Sequence, residues 1–258
     1  MEINNIIVYF PWGAGGNFVQ NVLSLAPGFQ LLSETGKNVV DKNNFLLEYY
    51  SQAVTPDTWL KREWSIRTYF GNRYCLGETP AYWNPDYSLV YTTHGEERNM
   101  SGLLKDTKLK HWDRYNVDAG NITEHVCPIS THDFTHIFMI PDSVEKITRV
   151  YNSKNPKVDQ LRLHDADEYL RLHQTMIINL NQSMNLYRLR EELVKKDKLV
   201  LNISPDQLLT DEGYVAIIEL TNNLQLDIDK DIIKRLHNLW FESTKKCYTE
   251  FYNRELNK

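Results

Sequence analysis

Gly13, Ala14, Gly15, Gly16, Asn17 and Phe18 lie between the apolar run Ile6–Phe10 and a segment with helical spacing at Phe18, Val22 and Leu25. That order of residue types can hold an anion. A helix start carries main-chain N–H groups with no intrahelical partner and the positive end of the helix dipole. Glycines let the backbone turn tightly and approach a phosphate closely. Asn17 adds a side-chain donor. The spacing lacks the Lys-Ser/Thr of GxxxxGK[ST] and the third glycine of GxGxxG. A strand–helix turn that serves packing alone therefore stands beside the anion-binding reading.

Two histidines sit where a base could act. His94 follows SLVYT, between Thr93 and Gly95, with Glu96 and Glu97 close behind. His132 follows VCPIS and precedes Asp133. An imidazole exchanges its proton near neutral pH, which suits it to taking a proton from a hydroxyl or amine. His237, paired with Trp240 at i,i+3 spacing, reads as structural, as do His164 and His173. Arg149, Lys245 and Lys246 are the candidate cations for a phosphate. Cys75, Cys127 and Cys247 are far apart, and no HExxH or CxxC spacing occurs, so no metal is expected.

These residues need a scaffold, and the composition supplies one. The 258 residues are 41% hydrophobic and 24% charged, which excludes a disordered chain. The net charge of −5 favours neither a nucleic-acid nor a membrane partner. No apolar run reaches a membrane span, and the first residues carry no signal-peptide pattern, so a cytoplasmic location is expected.

Ile3–Phe10 reads as a strand covered on both faces. Further strands are expected at Ser88–Thr92, Val126–Ser130, Ile137–Ile140 and, buried, Leu199–Ile203. Helices are expected at Asn17–Leu25, Phe45–Ala53, Thr55–Tyr69, Asp142–Ser153, Asp165–Lys195, Asp211–Leu224 and Asp229–Arg254. Alternation of strands and helices predicts an α/β fold, a mainly parallel sheet of about four or five strands with helices on both faces. The chain reads as a single domain over 1–258, with an insertion or lid at about 72–125.

The segment IIVYFPWGAGGNFVQNVL resembles the first strand, loop and helix of the P-loop sulfotransferases, particularly the divergent sulfotransferase-like proteins of phages and marine bacteria. Thr93-His94 and Thr131-His132 resemble that family's strand ending in Thr-His. IFMIPDSVEKITRVYNSK resembles its 3′-phosphate segment. The last third, from LVLNISPD through Leu-His-x-x-Trp, resembles its closing pattern. The resemblance implies a P-loop NTPase-like sulfotransferase architecture. It implies transfer of a sulfuryl group from 3′-phosphoadenosine-5′-phosphosulfate (PAPS) to a hydroxyl or amine of a small-molecule or carbohydrate acceptor. It implies His94 or His132 as base. Gly13 to Phe18 would hold the 5′-phosphosulfate, and Asp142, Ser143, Arg149, Lys245 and Lys246 the 3′-phosphate. The loop has no Lys, and Pro141 stands where the family has Arg. A ligand- or partner-binding member without turnover, or another nucleotide-dependent transferase, therefore remains an alternative.

Overall fold

A computed structural model describes residues 5–11, 14–31, 38–52, 86–88, 90–93, 110–112, 124–126, 134–141 and 166–256. In chain order its elements are β1 (Ile6–Tyr9), α1 (Gly16–Leu23), α2 (Lys42–Ser51), β2 (Val90–Thr93), β3 (Lys110–Trp112), β4 (Glu124–Val126) and β5 (Thr135–Phe138). They continue with α3 (Ala166–Lys195), β6 (Val200–Asn202), α4 (Pro205–Leu208), α5 (Tyr214–Asn223) and α6 (Lys230–Leu256).

Four strands form one sheet in the order β2-β1-β5-β6, and each pairing is parallel. Every residue of β1 and β5 is buried. Successive side chains of a strand point to opposite faces, so both faces of the sheet centre are covered. The expected mixed α/β fold is what forms. β6 departs in part from its expectation as a buried strand, although Ile203 just after it is buried. It lies at the sheet edge with its residues half-buried or exposed, and Leu199 just before it is 59% exposed. An apolar run such as LVLNI does not distinguish a central strand from an edge one.

α1 follows β1 after a turn and buries Phe18, Val19, Val22 and Leu23. Two polar side chains on the same helix are also buried and bind it to its neighbours. Gln20 Nε2 donates to the Val90 carbonyl at 2.7 Å, and Asn21 Nδ2 donates to Tyr50 Oη at 2.7 Å. α2 begins earlier than its apolar spacing suggests, because Asp41 caps it by accepting from the Asn44 amide at 3.2 Å.

Lys42, the first residue of α2, closes the other end of α1. Its ammonium donates to the carbonyls of Ser24 (2.8 Å), Ala26 (3.1 Å) and Phe29. Ser24 is the C-cap of α1, at the negative end of its dipole, and Ala26 and Phe29 belong to the turn that follows it. Burial pushes Lys42 down to about 8. Lys42→Met keeps much of the stem and removes the donor, so it is expected to destabilise the chain by about 2 kcal/mol. The sign of the pH effect follows from linkage. Between about 8 and the unfolded value of about 10.4, the unfolded chain holds the extra proton. The advantage of wild type over Lys42→Met in urea melts therefore grows as pH rises through that window, and a constant difference would contradict it.

β3 and β4 pair antiparallel in a separate two-stranded sheet. β3 falls in a stretch whose polar sequence reads as irregular. β4 begins ahead of the expected strand at 126–130 and shares Val126 with it; residues 127–130 lie outside the described residues. α3 and α6 run close to their expected limits. The helices expected at 55–69 and 142–153 lie outside the described residues. No helix among the described residues is long and apolar enough to cross a membrane.

Candidate functional site

Parallel pairing brings the ends of all four strands to one edge. Tyr9 of β1 is level with Thr93 of β2 and Phe138 of β5, and Phe138 with Asn202 of β6. Ligands of open α/β sheets bind outside this carboxyl edge. The glycine turn leaves β1 at that edge, next to the last residue of β2.

Within the turn, the Ala14 amide is occupied by the Pro11 carbonyl at 3.1 Å, and Ala14 is buried. Gly15 is the N-cap of α1 in the left-handed region, with φ +86°, and is half-buried. Its carbonyl takes the Val19 amide at 3.2 Å. No side chain caps the helix. The amides of Gly15, Gly16, Asn17 and Phe18 have no acceptor among the described residues. Asn17 is half-buried, and its Oδ1 is enclosed without a hydrogen-bond partner there.

The same turn is packed closely from behind. A Cβ on Gly16 would lie 2.1 Å from the ring of Phe10, inside it for practical purposes. A Cβ on Gly15 would lie 3.0 Å from Leu208 Cδ2 and 3.0 Å from the Trp240 ring. Phe18 is fully buried and stacks on Trp240 with centroids 4.6 Å apart and planes 12° apart. It also meets Tyr50 edge-on at 5.5 Å. Gly15 and Gly16 are thus required by backbone sign and by close packing, whatever the turn binds.

The wall over Gly15 comes from the end of the chain. Leu236 and His237 are fully buried and Trp240 nearly so, on one face of α6. His237 Nε2 donates to the Leu208 carbonyl at 2.9 Å, which makes this histidine structural, as its spacing suggests. Burial lowers its basicity below the usual imidazole value, and the Leu208 carbonyl, Asn238 and Asp211 pull the other way without reversing it. The Leu-His-x-x-Trp spacing marks this face as buried; its contact with Gly15 is a tertiary fact with no local signal. Leu208, the other half of the wall, carries no sequence signal at all.

Lys245 and Lys246 are exposed on α6, beyond this wall. The Lys245 ammonium lies over the Phe241 ring at 5.6 Å from its centroid, and Phe241 stacks on His237. Ser204 follows β6 at the carboxyl edge, is buried, and donates to the carboxylate of Asp206. Tyr187 of α3 donates to the carbonyl of Pro141, the residue that leads out of the β5 strand end. Of the expected site residues, the structure brings Ala14, Gly15, Gly16, Asn17 and Phe18 together. It sets Lys245 and Lys246 on the helix that packs on them. Gly13, His94, His132, Asp142, Ser143 and Arg149 lie outside the described residues. Among the described residues no three His, Cys, Asp or Glu side chains are grouped to hold a metal.

Taken together these features define a mixed α/β protein with a parallel four-stranded sheet and a glycine turn at its carboxyl edge, whose helix start has no acceptor among the described residues. No family model, curated protein or solved structure matches the chain.

Proposed function

We propose that this chain is a sulfotransferase-like enzyme that holds the phosphosulfate end of PAPS on the glycine turn and transfers the sulfuryl group to a hydroxyl or amine. The observation that carries the reading is the set of main-chain amides from Gly15 to Phe18. They sit at the carboxyl edge, at a helix start, with no acceptor among the described residues. Such a group fits a phosphate or sulfate oxygen.

The strand order supports the reading further. β1 lies between β2 and β5. β2 ends at Thr93, level with Tyr9, and His94 is the next residue in the chain. β5 ends at the same edge and leads through Pro141 to Asp142 and Ser143. His132 precedes β5, whose amino end lies at the opposite edge. His94 is therefore the base in this account. It takes the proton of the acceptor hydroxyl, while the amides of the turn hold the donor in line. When bound, the donor supplies the sulfuryl group, whose bond to the phosphate oxygen breaks as its bond to the acceptor oxygen forms. Arg149, Lys245 and Lys246 supply positive charge for the 3′-phosphate.

A binding protein without turnover is the second reading. It is favoured by the packing that already accounts for Gly15 and Gly16 and by the exposed placement of Lys245 and Lys246. Thermal melts with 3′-phosphoadenosine-5′-phosphate, ATP and NAD separate the readings, since a ligand that binds the native chain raises its melting temperature. The sulfotransferase reading expects stabilisation by the bisphosphate and none by ATP or NAD. No shift with any of the three overturns it.

A further inference from the structure

His237 is an ionisable side chain with no exposed surface, and the catalytic account leaves it unused. A carbonyl oxygen only accepts, so the bond to Leu208 requires the proton on Nε2 and leaves Nδ1 as a bare lone pair. Nδ1 is buried and has no hydrogen-bond partner among the described residues. Around the ring stand Phe18 (6.1 Å between centroids), Tyr214 (6.1 Å), Trp240 (5.9 Å) and Phe241 (5.8 Å, planes 12° apart). The turn before α5 closes on the same bond. A Cβ at Gly213 would lie 2.2 Å from the Leu208 carbonyl oxygen and 2.5 Å from His237 Nε2.

His237 therefore holds Leu208 by its carbonyl and lies against Trp240. These are the two residues whose side chains seat on Gly15. We propose that His237 is a positioning residue for the glycine turn: its neutral ring keeps Leu208 and Trp240 on Gly15, and protonation of Nδ1 releases that cover.

A second proton on the ring would place a charge in an aromatic enclosure where Nδ1 has no hydrogen-bond partner among the described residues and the adjacent Asn238 side chain favours the charged form from beside it. The Phe241 face offsets part of that cost. The charged groups around the enclosure are few among the described residues. Asp211, ahead of α5, favours the charged ring. Lys234 and Lys245 on α6 oppose it from above Tyr214 and Phe241, at 5.1 and 5.6 Å from the ring centroids. On α4, Asp206 is engaged by Ser204, and α1 contributes the apolar Phe18. Burial holds the ring neutral to lower pH than a free imidazole. The direction of linkage follows. Below the ordinary imidazole value of about 6.5 the unfolded chain takes a proton that the native enclosure refuses, so stability falls with acid. Local release at His237 is the first form that loss takes.

The test needs no ligand, so it can fail or succeed independently of the sulfotransferase reading. In the full-length chain, the His237 ring carbons and the Gly15 and Gly16 amides are followed by NMR as pH falls from about 7.5 to about 5. The glycine amides are expected to titrate with the midpoint of the His237 ring. The hydrogen-exchange protection of the Val19 amide, which donates to the Gly15 carbonyl, should fall about tenfold more than that of Val8 and Ile137 in the sheet. In His237→Gln, which keeps a donor for the Leu208 carbonyl without a titrating ring, that midpoint should vanish. If this variant does not fold, Leu208→Ala serves. The ring should still titrate, with the Gly15 response reduced. Glycine amides that stay silent while the wild-type ring titrates overturn the proposal. So does a ring that stays neutral until the sheet itself unfolds, or a glycine response that survives in His237→Gln.

Discussion

Gly16→Ala is expected to cost about 3 kcal/mol of stability, near the upper end of what overpacking a core usually costs. The direction is opposite to what helix propensity alone predicts. In an ordinary helix, alanine is better than glycine by about 1 kcal/mol. Here the new methyl would stand 2.1, 2.2 and 2.4 Å from three carbons of the Phe10 ring. Phe10 is 2% exposed, so moving its ring aside disturbs the core it packs in. Urea unfolding should show a lower midpoint with an unchanged slope. Phe10→Leu should recover part of the loss in the double variant, because residues in contact are not additive. A neutral or stabilised Gly16→Ala would mean that the turn does not lie on Phe10.

His94→Ala is expected to lower sulfuryl transfer by about 10²–10⁴-fold, the usual worth of a positioned acid–base group. Affinity for 3′-phosphoadenosine-5′-phosphate should not change, because the proposed reading assigns the nucleotide to the turn amides and not to the imidazole. His132→Ala should leave both quantities intact if His94, as proposed, is the base. The comparison can be read with PAPS and a simple phenol as acceptor, following release of the bisphosphate. Equal losses in both variants, or no loss in His94→Ala, would remove His94 from its role.

Local patterns carried much of the fold. The run Ile6–Phe10 announces a covered strand, and it forms the sheet centre. The long periodicity to Lys195 announces α3 and ends where that helix ends. Failures came where a tertiary circumstance decided. Leu199–Ile203 is apolar, yet β6 is an edge strand, and nothing in five residues says which neighbour is missing. Asp41 caps α2 ahead of its first apolar residue, a signal that periodicity overlooks. Lys42 looks like a solvated helix charge but is half-buried among three carbonyls at and just after the end of another helix.

For the candidate site, the glycines were legible and their reasons were not. Gly15 and Gly16 suggest backbone close to a ligand. Their nearest demands come from Phe10, Leu208 and Trp240, and two of these are supplied by the far end of the chain. Leu-His-x-x-Trp shows as a helical face without showing what it covers. The amides in front of that packing, without an acceptor among the described residues, are what the proposed function rests on.

Those amides give the most direct test. In an NMR titration of the full-length chain with 3′-phosphoadenosine-5′-phosphate, the backbone amides of Gly15, Gly16, Asn17 and Phe18 should shift together and saturate together. They should shift more than the Gly213 amide behind the wall. A chain whose spectrum changes elsewhere, or nowhere, while these amides stay still would contradict anion binding at the turn and the transferase reading built on it.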